Sequence, residues 1–153
     1  MKDKQNKKIA NTEGKVFFDT NILIYSIDER YPKKKEIASK ILNDASISKT
    51  GVISTQSLQE FYNAATKKLN LSKQAAKEYV NLFSKQFPVT QISVSLILNA
   101  INISIKNNLS FWDSLIVSAA NDTGCVIVFS EDMNHGQIIG GAKVLNPFPM
   151  EAA

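Results

Sequence analysis

The segment VFFDTN, residues 16–21, decides the fold, because three apolar residues are followed at once by a carboxylate, a hydroxyl and an amide. A strand in the middle of a parallel sheet is covered by helices on both faces, so its sequence is an unbroken apolar run without alternation. Residues 16–18 therefore predict a central parallel strand. Asp19 is then expected directly beyond the carboxyl end of that strand.

Strand and helix patterns alternate along the rest of the chain. Further short apolar or β-branched segments occur at residues 51–53, 89–92, 126–129 and 143–145. Apolar residues at helical spacing lie between them, at residues 32–45, 58–69, 72–87, 93–105 and 110–123, after a short helix at 21–27. Such alternation is typical of right-handed crossovers. We predict an α/β fold, a three-layer α/β/α sandwich around a central parallel sheet of about five strands.

The composition indicates one globular domain preceded by a basic tail. The chain has 153 residues, of which 44% are hydrophobic and 21% charged. The net charge is +4, but residues 1–15 hold five lysines and two acids, so the remainder is nearly neutral. We expect residues 1–15 to be a flexible tail, with RNA contact as one possible role, and residues 16–153 to form the domain.

Several classes of protein are excluded by what the chain lacks. A single cysteine, Cys125, allows neither an intrachain disulfide nor a cysteine-based zinc cluster. A single histidine, His135, gives little support for a catalytic relay or a metal site built from histidines. No apolar run approaches the roughly 18 residues of a membrane span, and the amino terminus lacks the apolar stretch of a signal peptide. We therefore expect a cytoplasmic protein without membrane association.

Four acidic residues fall where a parallel sheet binds its ligands. Asp19 and Asp132 follow two predicted strands, and Glu60 and Asp113 lie in the first turns of helices. Each has an ordinary alternative, a polar turn or a helix cap, and a serine three residues before Glu60 and before Asp113 fits a capping box. Carboxylates gathered at one edge would repel one another without a cation. Their oxygens suit hard ions such as Mg²⁺ or Mn²⁺.

Four segments in this order resemble PIN domains, and in particular VapC-type toxin ribonucleases. They are VFFDTN at 16–21, STQSLQEFY at 54–62, SFWDSLI at 110–116 and SEDMNHG at 130–136, followed by NPF at 146–148. The resemblance covers residues 16–148. It implies a PIN-like nuclease domain over residues 16–153, metal-dependent cleavage of RNA, frequent homodimers and inhibition by a cognate antitoxin protein.

The resemblance also implies roles for individual residues. Asp19, Glu60 and Asp113 match the acidic triad of the family, and Asp132 matches its fourth acid. These four are the expected catalytic and Mg²⁺- or Mn²⁺-binding residues, and the expected supporting residues are Asn21 and Ser130. Two alternatives remain open: a noncatalytic nucleic-acid-binding or scaffold protein with a PIN-like fold, and a metal-dependent phosphatase or DNA nuclease.

Overall fold

A computed structural model describes residues 14–149, which contain helices and strands in alternation. In chain order they are β1 (Lys15–Phe18), α1 (Thr20–Tyr25), α2 (Pro32–Ser48), β2 (Gly51–Ser54), α3 (Thr55–Lys67), α4 (Lys73–Gln86), β3 (Val89–Thr90), α5 (Val94–Asn107), α6 (Phe111–Asp122), β4 (Cys125–Phe129), β5 (Ile138–Ile139) and β6 (Ala142–Leu145). Every predicted strand and helix is present, with boundaries that differ by a few residues.

The strands form one sheet in the order β3-β2-β1-β4-β6-β5. All neighbouring strands are parallel except β5, which pairs antiparallel to β6. The predicted α/β class with a central parallel sheet is confirmed, and the sheet has six strands where about five were expected. The sixth is β5, a two-residue strand that is too short to leave a pattern in the sequence.

Alternate residues of the central strands enter two separate apolar layers. Phe18 packs on one side of the sheet with Ile53 and Phe129, in a core completed by side chains of α1 to α4. Phe17 packs on the other side with Val128 and with side chains of α6. Both phenylalanines are fully buried. Burial on both faces is the physical reason why β1 is apolar throughout, and it produces the three-layer sandwich.

The predicted basic tail lies mostly outside the described residues, since residues 1–13 are not among them. Its last member, Lys15, is the first residue of β1 and pairs with Cys125 of β4. Between residues 14 and 149, none of the helices has the length and apolar character needed to cross a membrane.

Gly51 begins β2 at a point where the backbone passes close to an aromatic ring. A methyl group added at its Cα would lie 2.6 Å from two ring carbons of Phe87 and 3.1 Å from the ring of Phe18. Both rings belong to the buried core, and they contact each other at a centroid distance of 5.6 Å. The side chain at this position is therefore limited to a hydrogen atom.

We predict that Gly51→Ala lowers the free energy of unfolding by about 1–3 kcal/mol, because overpacking displaces a buried ring. Urea denaturation followed by circular dichroism measures the change. The matched control is Gly141→Ala, where an added methyl meets nothing within 4 Å. Its free energy of unfolding should stay within about 1 kcal/mol of that of the unsubstituted protein. Equal losses for the two variants would contradict the account of this contact.

Candidate functional site

Asp19 lies at the carboxyl end of β1 and carries two functions. Its Oδ1 accepts the backbone N–H of Thr20 at 2.7 Å, so it caps α1, as the ordinary interpretation of this residue expects. Its Oδ2 accepts the hydroxyl of Ser130 at 2.7 Å. The residue is only 6% exposed, and its bond to Ser130 reaches outside α1. Capping alone therefore does not account for its placement.

Ser130 joins the loop after β4 to the loop after β1. Its fully buried hydroxyl donates to Asp19 and accepts the backbone N–H of Asp132 at 3.2 Å. The second bond fixes the tight polar turn that the sequence indicates at this place. One hydroxyl thus binds the carboxylate of Asp19 and the backbone of Asp132.

Asn21 forms a second link between the same two loops. Its Nδ2 donates to Asp132 Oδ2 at 3.0 Å and, at 3.5 Å, to Asp19 Oδ2. Its Oδ1 accepts the backbone N–H of Glu131 at 3.3 Å. The amide side chain therefore reaches both acids from the strand ends of β1 and β4. The supporting role expected for Asn21 stays a prediction.

Glu60 is held by two residues that the sequence analysis did not identify. Its Oε2 accepts the hydroxyl of Thr20 at 2.9 Å, and its Oε1 accepts Gln56 Nε2 at 2.8 Å. Gln56 Nε2 also donates to the backbone carbonyl of Trp112 at 3.2 Å, which connects α3 to the start of α6. Thr20 lies between Asp19 and Asn21, and Gln56 is one helical turn before Glu60. These positions give only a weak indication that Thr20 and Gln56 belong to the site.

The helix caps near Glu60 and Asp113 differ from the capping boxes that were weighed as their ordinary explanation. In α3 the reciprocal box is formed by Ser54 and Ser57, so Glu60 lies beyond it, in the second turn. In α6 the Ser110 hydroxyl accepts the backbone N–H of Asp113 at 3.1 Å. The Glu60 carboxylate is thus not used in a cap, and the cap of α6 uses the backbone of Asp113.

Comparison with known proteins identifies the family. A family model of the PIN domain matches residues 16–138 of the chain. The chain belongs to the PIN domain family. No curated protein sequence matches it.

Solved structures with a similar fold include toxin–antitoxin proteins. The DNA-bound VapBC of Salmonella typhimurium is 18% identical, with a TM-score of 0.67 over 88% of this chain and 99% of that one. A toxin–antitoxin complex from Klebsiella pneumoniae is 19% identical, with a TM-score of 0.63 over the same shares. VapC20 of Mycobacterium tuberculosis, a sarcin–ricin loop cleaving toxin, is 17% identical, with a TM-score of 0.58 over 76% of this chain and 89% of that one. At these identities the likeness shows a common fold.

Two acids of this PIN domain, Asp19 and Asp113, have raised pKa values. Burial raises the pKa of Asp19 to about 7, against the opposing hydrogen bonds from Ser130 and Thr20, and the charges of Glu60 and Asp132 raise it further. Burial also raises the pKa of Asp113, which Ser110 opposes and the charges of Asp132 and Glu60 reinforce. The hydrogen bonds of Asn21, Thr20 and Gln56 bring the four acids into one region at the strand ends.

The donor chemistry of the cluster fits a hard divalent cation. Carboxylate oxygens are the side-chain ligands that Mg²⁺ and Mn²⁺ prefer, and a 2+ charge offsets the burial and the charge repulsion that raise the pKa of Asp19. Within residues 14–149, no three acidic, histidine or cysteine side chains are grouped closely enough to ligate one ion as they stand. Several carboxylate oxygens are held by hydrogen-bond donors instead, so ligation requires the side chains to draw together.

We predict that the metal-free protein loses stability as pH rises from about 5 to about 8. The raised pKa keeps Asp19 protonated in the folded state, whereas the unfolded chain ionises above the ordinary value of 3.8. The stabilisation is therefore complete below about pH 4 and is lost as pH rises through about 7. For Asp19 alone the loss over this range is roughly 3 kcal/mol at most.

The free energy of unfolding, measured by urea denaturation in EDTA at both pH values, tests this prediction. Asp19→Asn cannot ionise, so it should lose less stability between the two pH values than the unsubstituted protein. Asp44→Asn removes an exposed acid of α2 and serves as the control. Identical pH dependence in the Asp19→Asn variant and the unsubstituted protein would show that Asp19 is not the titrating group.

Proposed function

We propose that this PIN domain is a divalent-metal-dependent endoribonuclease that hydrolyses RNA phosphodiester bonds, and that it is the toxin of a type II toxin–antitoxin pair. The observation that carries the proposal is the cluster of four carboxyl groups at the strand ends, with Asp19 buried and held by Ser130. The likeness in fold to VapBC complexes and to VapC20, which cleaves the sarcin–ricin loop, supports it. An RNA substrate also agrees with the expected cytoplasmic location.

The proposed mechanism assigns the cation to the carboxylates of Asp19, Asp113 and Asp132, with Glu60 directly or through water. When bound, Mg²⁺ or Mn²⁺ lowers the pKa of water to give a nucleophile at neutral pH and stabilises charge on the phosphate. Because burial raises the pKa of Asp19 to about 7, this residue retains a proton that it must release when the cation binds.

The supporting residues act on orientation. Ser130 binds one oxygen of Asp19, and Asn21 binds one oxygen of Asp132, so each carboxyl group is held in one orientation. Thr20 and Gln56 each hold one oxygen of Glu60. Preorganisation of this kind reduces the motion that ligation requires.

An exposed tryptophan supports a nucleic-acid substrate. Trp112 precedes Asp113 directly and is 63% exposed, and its ring lies 5.1 Å from that of Phe111. Exposed aromatic rings provide stacking surfaces for unpaired bases, with little preference for sequence. The proposal places an unpaired base of the RNA on Trp112 while the adjacent phosphate approaches the acidic cluster.

A groove between α3 and α4 supports an antitoxin partner. It has a volume of about 600 Å³ and is lined by Leu58, Gln59, Tyr62, Lys73, Gln74, Lys77 and Val80. Apolar side chains with two lysines suit a partner segment that presents apolar and acidic residues. The proposed antitoxin would be the product of an adjacent short reading frame.

A row of exposed apolar residues on α5 supports the proposed homodimer. Four exposed residues, Val94, Leu98, Ile101 and Ile105, form the α5 stripe. Their intervals of four, three and four residues follow the a and d positions of a heptad, which favour a partner helix. The intervals are the same from either end, so an antiparallel second copy can place Val94 against the partner's Ile105. Self-complementarity of this kind is what a two-fold interface needs.

Two alternatives differ from the proposal in measurable ways. A noncatalytic nucleic-acid-binding or scaffold protein binds RNA without cutting it under any divalent ion. A metal-dependent phosphatase or DNA nuclease prefers small phosphate esters or DNA to RNA. A substrate panel with each divalent ion separates the three activities.

We predict that the pure protein cleaves RNA in Mg²⁺ or Mn²⁺, and that EDTA abolishes the cleavage. Asp19→Asn and Asp113→Asn each remove a charged ligand, so the rate should fall at least about 100-fold, equivalent to about 3 kcal/mol of transition-state stabilisation. Asp44→Asn removes an exposed charge outside the cluster and should cleave like the unsubstituted protein. Cleavage that survives both site substitutions, or that needs no metal, would exclude the proposed mechanism.

We predict that Leu98→Glu converts a dimeric protein to a monomer, because it places a charge in the centre of the α5 stripe. Analytical ultracentrifugation measures the mass in solution. Leu82→Glu on α4 is the matched control, since Leu82 is 55% exposed and Leu98 is 57% exposed. A dimer that persists in Leu98→Glu, or a monomeric unsubstituted protein, would rule out this interface.

A further inference from the structure

Lys34, in the first turn of α2, is enclosed by aromatic rings. Its Nζ lies 4.7 Å from the ring centroid of Tyr25, 5.5 Å from that of Tyr31 and 5.6 Å from that of Phe148. Its side chain is only 13% exposed, which is unusual for a lysine. Cation–π attraction stabilises an ammonium group in such surroundings, and more strongly where water is excluded. We call this group of three rings the aromatic box.

The ammonium group in the aromatic box binds one carboxylate. Lys34 Nζ donates to Glu131 Oε2 at 2.7 Å, and the Tyr25 hydroxyl donates to Glu131 Oε1 at 2.7 Å. Both oxygens of Glu131 are therefore engaged. The positive charge of Lys34 is therefore paired within the protein and is not a solvated charge that is free to meet phosphate.

Glu131 stands between two residues of the acidic site. Ser130 and Asp132 flank it in the chain, and its own backbone N–H donates to the side-chain oxygen of Asn21. The segment follows β4 as a bend without regular secondary structure. The side chain of Glu131 is thus bound by residues of α1 and α2, and its backbone N–H is bound by a residue at the start of α1. These contacts fix the backbone at Glu131, and with it the positions of the neighbouring residues Ser130 and Asp132.

We propose that Lys34 and Glu131 are positioning residues, which hold the backbone of Ser130 and Asp132 beside Asp19, so that the acidic side chains need to move only a little to close on a cation. The inference rests on the proposed function, in which Asp132 is a ligand. Outer-shell partners of metal ligands typically change metal affinity by 10- to 100-fold when they are removed. The chain contains a nearby contrast in Lys35 and Glu29, an ion pair at the surface with much more exposed side chains.

The first test compares Lys34→Met and Glu131→Gln with Lys35→Met and Glu29→Gln. Methionine keeps an unbranched apolar chain in the aromatic box, and glutamine keeps an acceptor for Tyr25, so both changes remove the ion pair at small steric cost. Mn²⁺ titration by calorimetry should show a dissociation constant about 10-fold or more higher for the first two variants. The two surface variants should match the unsubstituted protein, and Lys34→Arg should restore most of the affinity.

Kinetics separate positioning from a general loss of stability. Measured on RNA with saturating Mn²⁺, kcat should fall for Lys34→Met while KM for RNA changes less than twofold, since Lys34 is paired with Glu131 and only 13% exposed. A variant that loses thermal stability but retains the Mn²⁺ dissociation constant and kcat would overturn the proposal. Glu131→Gln provides the same comparison if Lys34→Met does not fold.

Hydrogen–deuterium exchange of the metal-free protein tests the positioning role of Lys34 without an activity measurement. The backbone N–H groups of Glu131 and Asp132 are bound to Asn21 and Ser130. Both should exchange faster in Lys34→Met than in Lys35→Met. Faster exchange in a protein that neither binds Mn²⁺ nor cuts RNA would refute the proposed function and leave the positioning standing. Unchanged exchange would refute the positioning itself.

Discussion

The hydrogen bond between Ser130 and Asp19 is the interaction on which the rest of the site depends. It joins the loops that follow β1 and β4, two adjacent strands at the centre of the sheet, and both residues are buried. A buried carboxyl group is costly when ionised, and here burial is the largest cause of the raised pKa of Asp19. This cost explains why the group is surrounded by donors, and why a divalent cation is the natural complement of the cluster.

The fold was predictable because burial on both faces leaves a distinct pattern in β1. Phe17 and Phe18 enter opposite layers of the core, so the run could not alternate with polar residues. Pairing order along the sheet is set by crossovers between distant segments, which no local pattern encodes. The two-residue strand β5 pairs with β6 through a short local connection. Its two isoleucines are too few to show the periodicity that identifies a strand in a sequence.

Positions after strands and in early helical turns indicated the four acids, and the family resemblance indicated Asn21 and Ser130, whereas the partners of Glu60 and Glu131 could not be predicted. Thr20 and Glu60 are 40 residues apart, and Lys34 and Glu131 are 97 residues apart, so only the folded chain brings them together. Local spacing was misleading at Glu60, because the capping box of α3 begins at Ser54. The surroundings of Lys34 could not be predicted either, since the aromatic box includes Phe148 from the far end of the described chain.

The central claim is that the four carboxyl groups at the strand ends form one cation site. A crystal structure of the protein grown with Mn²⁺, with anomalous diffraction data, tests this claim most directly. The account predicts an anomalous peak with carboxylate oxygens of Asp19, Asp113 and Asp132 as ligands, at distances near 2.2 Å, close to those of other hard divalent ions. Crystals at neutral pH and millimolar Mn²⁺ with no peak at these residues, or with a peak elsewhere on the protein, would contradict it.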